Sequence, residues 1–145
     1  METNVKLMVT LQKLYITLAK SSGQNLKELG MTGSEFLVLS HLNRKGKEKV
    51  QKLAETAMIT SGTITYTINK LERTNMITRK QDIKDKRVFW VELTVQGRES
   101  YKQIFKKHME YMDCLLGGFS EEEKIAFTER IKCFGIKIDK KEKIK

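Results

Sequence analysis

Apolar residues recur at helical spacing along most of this chain. Leu7, Leu11, Leu14 and Leu18 follow one another every three or four residues, which predicts one apolar face of a long first helix. We expect this helix to end before Ser21-Ser22-Gly23. The chain contains no proline, so none of its helices has to be interrupted by one.

Short helices separated by turns are predicted in the middle of the chain. A capping box of Thr32 and Glu35 indicates the start of the second helix. After a basic loop at 44–49, the apolar face of residues 50–57 predicts a short helix. Met58-Ile59 then forms a turn, and Thr60 or Ser61 caps a further helix over residues 61–74.

From Met76 the hydrophobic period changes from helical to two. Residues 76–81 and 88–93 are rich in β-branched and aromatic side chains, and the polar, basic residues 83–87 connect them. This pattern predicts a β-hairpin attached to a helical domain. The fold class is therefore mainly α with a small β-hairpin wing, a winged helix-turn-helix.

Two further helices are predicted to follow the hairpin. Thr94 caps a long helix that ends at Gly117-Gly118, and Ser120 with Glu123 forms a capping box for the last amphipathic helix. The charged tail at 139–145 is expected to fray as a flexible basic segment.

Composition limits the class of protein. With 145 residues the chain supports one compact domain, or a small domain with extra helices that pair with a second copy, and no apolar run approaches the length of a membrane span. Since the first twenty residues lack a signal-peptide core, we expect a cytoplasmic protein. The formal net charge of +10 favours a polyanionic partner, with nucleic acid first.

Candidate chemistry is sparse. His41, His108, Cys114 and Cys133 have no metal-ligand spacing, so neither a metal nor a cofactor is expected. No nucleophile is accompanied by a base and an orienting group, and Glu121-Glu122-Glu123 marks the start of a helix. We therefore expect no enzymatic activity.

The predicted helix-turn-helix and its hairpin suit double-stranded DNA. A helix fills the major groove, where hydroxyl, amide and basic side chains reach bases and phosphates. Each segment alone is also compatible with an ordinary solvated surface. The candidate DNA-binding residues of the helix and the strand after it are Ser61, Thr63, Thr65, Tyr66, Asn69, Lys70, Arg73 and Arg79.

The hairpin tip adds a second group of candidates. Lys84, Lys86 and Arg87 can enter the adjoining minor groove, whose negative potential attracts arginine. Asp85 is unfavourable beside phosphates, so we expect it to orient Arg87 through a bidentate contact.

These segments together resemble the MarR family of transcription factors. The similarity covers LAETAMITSGTITYTINKLERTNMITR at 53–79, the DxR wing motif at 85–87, and Leu93-Thr94 with Gly97-Arg98. Upstream, Met31-Thr32 and residues 35–39 resemble the start of the family's second helix. The resemblance implies a homodimer on a pseudo-palindromic operator. Segments 1–30 and 95–138 would dimerise, and 31–94 would bind DNA.

Three positions depart from the family pattern. Met58 replaces a common turn glycine, so we expect a turn without positive φ there. Tyr66 replaces a frequently basic residue, which shifts operator preference. Asn75 replaces a glycine, and asparagine tolerates the left-handed conformation that such a cap requires.

The segment 61–66 is similar to a subgroup that responds to methylhydroquinone and related quinones. The resemblance therefore implies a small aromatic or quinone-like effector, bound between the dimerisation helices and the DNA-binding lobe. Ordinary core packing is the alternative role for each of the pocket candidates, which are Tyr15, Phe36, His41, His108 and Met109.

The leading hypothesis is a dimeric, ligand-responsive repressor without catalytic activity. The alternatives are an activator, a regulator that senses oxidation through Cys114 or Cys133, and a winged-helix module that binds protein. The apolar stripes of the terminal helices would also be compatible with a bundle within one chain.

Overall fold

The structure, a computed structural model, describes residues 2–142. They form six helices and three short strands: α1 (Glu2–Glu28), α2 (Gly33–Lys45), β1 (Glu48–Lys49), α3 (Val50–Ala57), α4 (Ser61–Arg73), β2 (Ile77–Gln81), β3 (Phe89–Leu93), α5 (Val95–Leu115) and α6 (Glu121–Glu142). The predicted mainly helical fold with a β-hairpin wing is confirmed. The chain divides after Glu110 into two compact units, the second containing the end of α5 and α6.

The core of the first unit lies between α2, α3, α4 and the sheet. Leu39, Leu53, Ile68, Ile77 and Val91 are each at most 1% exposed and come from these different elements. The sheet is antiparallel with the order β1-β3-β2. Because α4 packs on this core through a stripe of aliphatic residues, its opposite side is left at the surface.

Local capping sets the helix starts. Thr32 Oγ1 accepts the Glu35 amide and Glu35 Oε2 accepts the Thr32 amide, which completes the predicted capping box of α2. Thr60 is the N-cap of α4, since its hydroxyl accepts the Thr63 amide. The predicted capping box of Ser120 and Glu123 is also present.

A tight junction joins the hairpin to α5. Thr94 Oγ1 donates to the Asn75 carbonyl at 2.6 Å and accepts the Gly97 amide at 2.8 Å, so Thr94 caps α5 as predicted. A Cβ on Gly97 would lie 1.8 Å from the Met76 carbonyl oxygen. The Leu-Thr-x-x-Gly segment therefore provides a cap and a close backbone approach.

The predicted end of the first helix is wrong. Instead of ending before Ser21, α1 continues through Ser21-Ser22-Gly23 to Glu28. Leu26 is 2% exposed, and both Ser22 and Asn25 form hydrogen bonds with His108 of α5. These tertiary contacts outweigh the weak helix propensity of serine and glycine.

The turn before α4 also differs from the prediction. Met58 has φ 51° and ψ 39°, so it adopts the left-handed conformation that we expected this residue to avoid. Its amide bonds to the carbonyls of Ala54 and Glu55, which closes α3 with the geometry usually given to glycine. Asn75, at φ 56°, has the left-handed conformation predicted for it.

Two smaller boundaries were missed. Part of the basic loop forms β1, in which Glu48 and Lys49 pair with Val91 and Trp90 of β3. The last helix extends through Asp139 to Glu142, so the first part of the predicted tail is helical. Residues 143–145 of that tail lie outside the described residues.

Candidate nucleic-acid interface

The helix α4 has a buried side and an outer side at regular helical spacing. Ile64, Ile68 and Leu71 are at most 4% exposed and pack into the core. Directly opposite, at spacings of four, three and four, lie residues that are all exposed: Gly62, Tyr66, Asn69 and Arg73. This outer stripe is the face that α4 leaves at the protein surface.

The hydroxyl groups beside the outer stripe are partly engaged within the helix. Thr65 Oγ1 donates to the Ser61 carbonyl at 3.0 Å, and Thr60 Oγ1 donates to Thr63 Oγ1 at 2.9 Å. Ser61, Thr63 and Thr65 are all exposed. They therefore remain at the surface, although two of their hydroxyls already have a partner in the helix.

Lys70 faces α2 instead of the outer stripe. Its ammonium group lies 2.5 Å from Oε1 of Glu35, whose side chain is only 4% exposed. The other carboxylate oxygen of Glu35 accepts the Thr32 amide in the capping box. Of the basic candidates on α4, Lys70 is thus engaged in an ion pair between helices, while Arg73 is exposed.

Arg79 connects β2 to α4. Its guanidinium donates to Asn69 Oδ1 at 3.3 Å, lies 3.1 Å from Glu72 Oε2, and stacks over the Phe89 ring at 5.3 Å. Arg79 therefore fixes the position of the hairpin relative to α4. A small cavity of about 160 Å³ is lined by Arg79, Arg87 and Thr65 among other residues, which brings the wing beside α4.

The tip of the wing is organised by Asp82, a residue that the sequence analysis did not identify. One of its carboxylate oxygens accepts the Lys84 and Asp85 amides, and the other accepts the indole N–H of Trp90 at 2.8 Å. Hydrogen bonds from the Asp85 amide, the Trp90 indole and the Lys84 amide lower the pKa of Asp82 to about 2. An aspartate at the start of a turn is a recognisable signal for this arrangement.

The predicted pairing of Asp85 with the Arg87 side chain is wrong. Asp85 Oδ1 accepts the backbone amide of Arg87 at 3.0 Å instead, because a short aspartate side chain readily bonds to the amide two residues further on. Lys84, Lys86 and Arg87 are all exposed at the tip. The turn therefore exposes three cationic side chains, while hydrogen bonds from its backbone amides to Asp82 and Asp85 fix its conformation.

The base of the wing carries further basic side chains that the sequence analysis missed. The ammonium groups of Lys47 and Lys49 each lie 5.2 Å from the centroid of the Trp90 ring. The β1–β3 pairing brings them there, so their position depends on a strand of two residues that hydrophobic periodicity does not reveal.

A larger cavity lies between α2, α3 and α5. Its volume is about 380 Å³, and it is lined by Leu37, Ser40, His41, Asn43, Arg44, Thr56, Ala57, Tyr101 and Phe105. His41 is 9% exposed, and neither of its ring nitrogens has a hydrogen-bond partner among residues 2–142. Its Nε2 lies 3.6 Å from Glu48 Oε2. The cavity thus combines aromatic walls with a buried imidazole.

Phe36 and His108 lie beside this cavity within an aromatic cluster. The Phe36 ring stacks on Phe105 at 6.3 Å and meets His108 edge-on at 5.0 Å. Phe105 therefore belongs to both the cluster and the cavity wall. Tyr101, which contacts Phe36 and Phe105, donates its hydroxyl to Ser40.

His108 is fully engaged within the protein. Its Nδ1 lies 2.7 Å from Asn25 Oδ1 and its Nε2 lies 3.2 Å from the Ser22 hydroxyl. Burial lowers the pKa of His108, so the neutral ring donates to Asn25 and accepts from Ser22. This histidine holds α5 against α1.

The other two pocket candidates are placed differently. Met109 is half-buried on α5 next to His108. Tyr15 is 72% exposed on α1, and among residues 2–142 no hydrogen bond or aromatic pair connects it to the cavity. The structure therefore brings His41, Phe36 and His108 to one region and leaves Tyr15 apart from it.

The described part of the chain also bears on thiol, metal and membrane sites. Cys114 and Cys133 are both exposed free thiols. Within residues 2–142, no three His, Cys, Asp or Glu side chains gather in a way that would hold a metal ion. No helix of this part of the protein has the length and apolar content to cross a membrane.

Comparison with known proteins identifies the family. Residues 20–104 match the family described as transcriptional regulator SarA/Rot. The chain is 30% identical to the HTH-type transcriptional regulator MhqR of Bacillus subtilis (strain 168) over 135 residues, 93% of each protein.

Solved structures show the same fold. The crystal structure of MarR is similar with a TM-score of 0.74 and 25% identity, covering 92% of this chain and 98% of that one. NadR in complex with 4-hydroxyphenylacetate has a TM-score of 0.70 at 20% identity, covering 87% and 89%. Together with the exposed face of α4 and the basic wing, these similarities establish that the chain belongs to the MarR family of DNA-binding winged helix-turn-helix transcriptional regulators.

Proposed function

We propose that this protein is a homodimeric repressor that binds a pseudo-palindromic operator and is released by a small aromatic or quinone-like effector. The observation that carries the proposal is the pairing of two surfaces in the first unit. The outer stripe of α4 and the cationic wing tip lie side by side, connected through Arg79.

The proposed DNA contacts divide between the two grooves. The exposed residues of α4 enter the major groove; they are Ser61, Thr63, Thr65, Tyr66, Asn69 and Arg73. Lys84, Lys86 and Arg87 contact phosphates and the minor groove. Lys70 and Arg79 act by holding α4 in place, because both are already engaged in ion pairs.

Dimerisation is supported by apolar side chains left exposed on the terminal helices. On α1, Met8 and Ile16 are 70% and 57% exposed, and on α6, Phe127 and Phe134 are 53% and 47% exposed. Exposed apolar faces of this kind mark surfaces for association. Two α4 helices about one DNA turn apart would then bind two half-sites.

The cavity lined by His41 supports the effector part of the proposal. Its volume suits a single aromatic ring with small substituents, and the two ring nitrogens of His41, which have no hydrogen-bond partner among residues 2–142, can bond to a phenol or quinone oxygen. NadR, which shares this fold, is in complex with the aromatic ligand 4-hydroxyphenylacetate, and this supports a ligand of this class. A ligand that wedges between α2 and α5 would favour a conformation in which α4 is displaced.

A path from the cavity to α4 runs along α2. Phe36 contacts the cavity wall at Phe105, and its neighbour Glu35 pairs with Lys70 of α4. A rotation of α2 at the cavity would therefore move Glu35, and the ion pair with Lys70 would transmit that movement to α4.

DNA binding is tested by fluorescence anisotropy on DNA upstream of the protein's own gene, with scrambled DNA beside it, across a salt series. We expect Arg87→Ala to lose about 1–3 kcal/mol of operator affinity, the range for a good groove contact. Lys106→Ala, an exposed cation on α5, is the matched control and should bind as the wild type. Equal affinity for both DNAs would contradict the function. Repression itself is measured by in vitro transcription from the same promoter.

Effector release has a second candidate mechanism, since both thiols are exposed. A pocket predicts that quinones still release DNA from a Cys114→Ser/Cys133→Ser double mutant and fail to release it from His41→Leu. Thiol chemistry predicts the reverse. Methyl-1,4-benzoquinone, which a thiolate can attack, and a redox-inert phenol are the two probes, since the phenol can act only through a pocket.

A further inference from the structure

We infer that Tyr66 is a specificity-determining residue that recognises a thymine by packing against its 5-methyl group. The inference rests on the proposed DNA-binding function and adds the base that the centre of α4 selects. It follows from the position of Tyr66 on the outer stripe and from the hydrogen bonds and the ion pair that its polar neighbours on α4 already form.

Tyr66 is the first side chain of the outer stripe of α4, since Gly62 has none. It lies directly opposite the buried stripe and is 66% exposed. Gly62, four residues earlier on the same stripe, has no side chain, and a Cβ there would meet nothing within 4 Å. Since the N-terminal part of a recognition helix approaches the bases most closely, Tyr66, the first side chain of the outer stripe, lies where it can reach them.

The polar neighbours of Tyr66 are less available. Asn69 accepts from Arg79 through Oδ1, and the Thr65 hydroxyl is bonded to the Ser61 carbonyl. The ammonium of Lys70 is held by the buried carboxylate of Glu35. The first two turns of α4, residues 61–68, contain no arginine or lysine, so the usual bidentate contact to guanine is missing there.

The chemistry of the tyrosine ring then selects the base. Tyr66 is 66% exposed, and among residues 2–142 it forms no aromatic pair and its hydroxyl makes no hydrogen bond, so no such contact within the protein occupies the ring. Long side chains of a helix lean over the preceding turn, which here contains Gly62 and leaves the ring room. In the major groove, the thymine methyl is the one apolar group that a ring edge can contact, and cytosine lacks it.

The test begins by selecting bound sequences from randomised DNA with the full-length protein. Each thymine of the selected half-site is then replaced singly by deoxyuridine, which removes only the 5-methyl group. At one position we expect the wild type to lose about fourfold in affinity, corresponding to about 0.8 kcal/mol for one buried methyl. Deoxyuridine outside the protected site is the control and should change nothing.

Two variants assign the contact to the ring. Tyr66→Phe should retain the fourfold sensitivity to deoxyuridine, because it keeps the ring. Tyr66→Ala should bind more weakly and lose that sensitivity, while its thermal unfolding remains that of the wild type, as befits an exposed residue.

Each other outcome overturns the inference. Insensitivity of the wild type to every deoxyuridine would exclude a methyl contact, and an equal loss of affinity in Tyr66→Phe and Tyr66→Ala would assign the contact to the hydroxyl. If Tyr66→Ala still loses affinity when thymine is replaced by deoxyuridine, the methyl group contacts another residue. If selection yields no preferred sequence at all, the proposed function fails and not merely this refinement of it.

Discussion

Gly97 shows how one missing side chain fixes the junction between the wing and α5. Its Cα approaches the Met76 backbone so closely that a Cβ would lie 1.8 Å from the carbonyl oxygen and 2.7 Å from the carbonyl carbon. Both atoms belong to the backbone, so neither can move aside as a flexible side chain would. The same segment carries the Thr94 cap.

We expect Gly97→Ala to destabilise the protein by about 3 kcal/mol or more, the upper end of the cost of overpacking. Urea unfolding followed by circular dichroism measures this. Gly23→Ala is the matched control, since that helical glycine has nothing within 4 Å of its missing Cβ and should gain slightly from helix propensity. A Gly97→Ala protein as stable as the control would mean that the junction is looser than described.

Asp82 links the order of the wing to pH. With a pKa of about 2, its carboxylate is ionised at neutral pH and accepts from two backbone amides and the Trp90 indole. Because the folded pKa lies below the ordinary value of 3.8, the stabilisation is present above about pH 4 and is lost as the pH falls towards 2.

We therefore expect Asp82→Ala to change the fluorescence of Trp90, the only tryptophan of the chain, and to weaken operator binding by loosening the tip. The difference in unfolding free energy between wild type and variant should shrink between pH 4 and pH 2. Asp85→Ala, which removes a hydrogen bond without touching Trp90, should leave the emission unchanged. A pH-independent difference would contradict the role of the ionised carboxylate.

At the scale of elements, the pair Glu35–Lys70 joins α2 to the DNA-binding helix. Glu35 is 3% exposed, so removing its cation leaves a buried carboxylate without a counter-charge. We expect Lys70→Met to destabilise the protein by about 2–4 kcal/mol. Glu35→Gln in the same protein should restore much of this loss, because the amide oxygen still accepts the Thr32 amide.

The double mutant also separates stability from DNA contact. If Lys70 pairs only with Glu35 of α2 and contacts no phosphate, Glu35→Gln/Lys70→Met should keep the wild-type salt dependence of operator binding. A phosphate contact would instead reduce the slope of log affinity against log salt by about one. Double-mutant cycles in unfolding and in anisotropy measure both quantities on the same four proteins.

The elements that the sequence predicted well are those set by local signals. The capping boxes of Thr32 and Ser120 and the change of period at Met76 gave the starts of α2, α6 and β2 within about one residue, because a cap or a pleat acts on its own neighbours. The wing strands were recovered for the same reason.

The missed features depend on residues distant in sequence or on side-chain geometry. The extension of α1 requires His108, more than 80 residues away, and β1 requires its register with Trp90 of β3. Met58 accepts a strained left-handed φ because the turn between two packed helices demands it. The sequence likewise placed candidate cations on α4 correctly but did not show that Lys70 is already paired.

At the scale of the whole molecule, apolar residues on α6 form an exposed stripe that a second copy of the chain would cover. Phe127, Ile131, Phe134 and Ile138 follow a spacing of four, three and four and are 44–57% exposed. Such an exposed apolar stripe would lower the solubility of a monomer, and packing against a second copy would remove the stripe from water. An isologous interface of this kind would also set the spacing between two DNA-binding helices.

We therefore expect Ile131→Glu/Phe134→Glu to convert a dimer into a monomer, because two charges would be placed within an apolar interface. Sedimentation equilibrium should give twice the chain mass for the wild type and a single chain mass for the variant. Lys132→Glu on the same helix is the control for added negative charge and should remain dimeric.

Since the two half-sites would no longer be bound as one unit, the monomer should lose about a hundredfold or more in affinity for the full operator, while a single half-site is bound as before. A monomeric wild type with full operator affinity would instead favour the terminal helices closing a bundle within one chain.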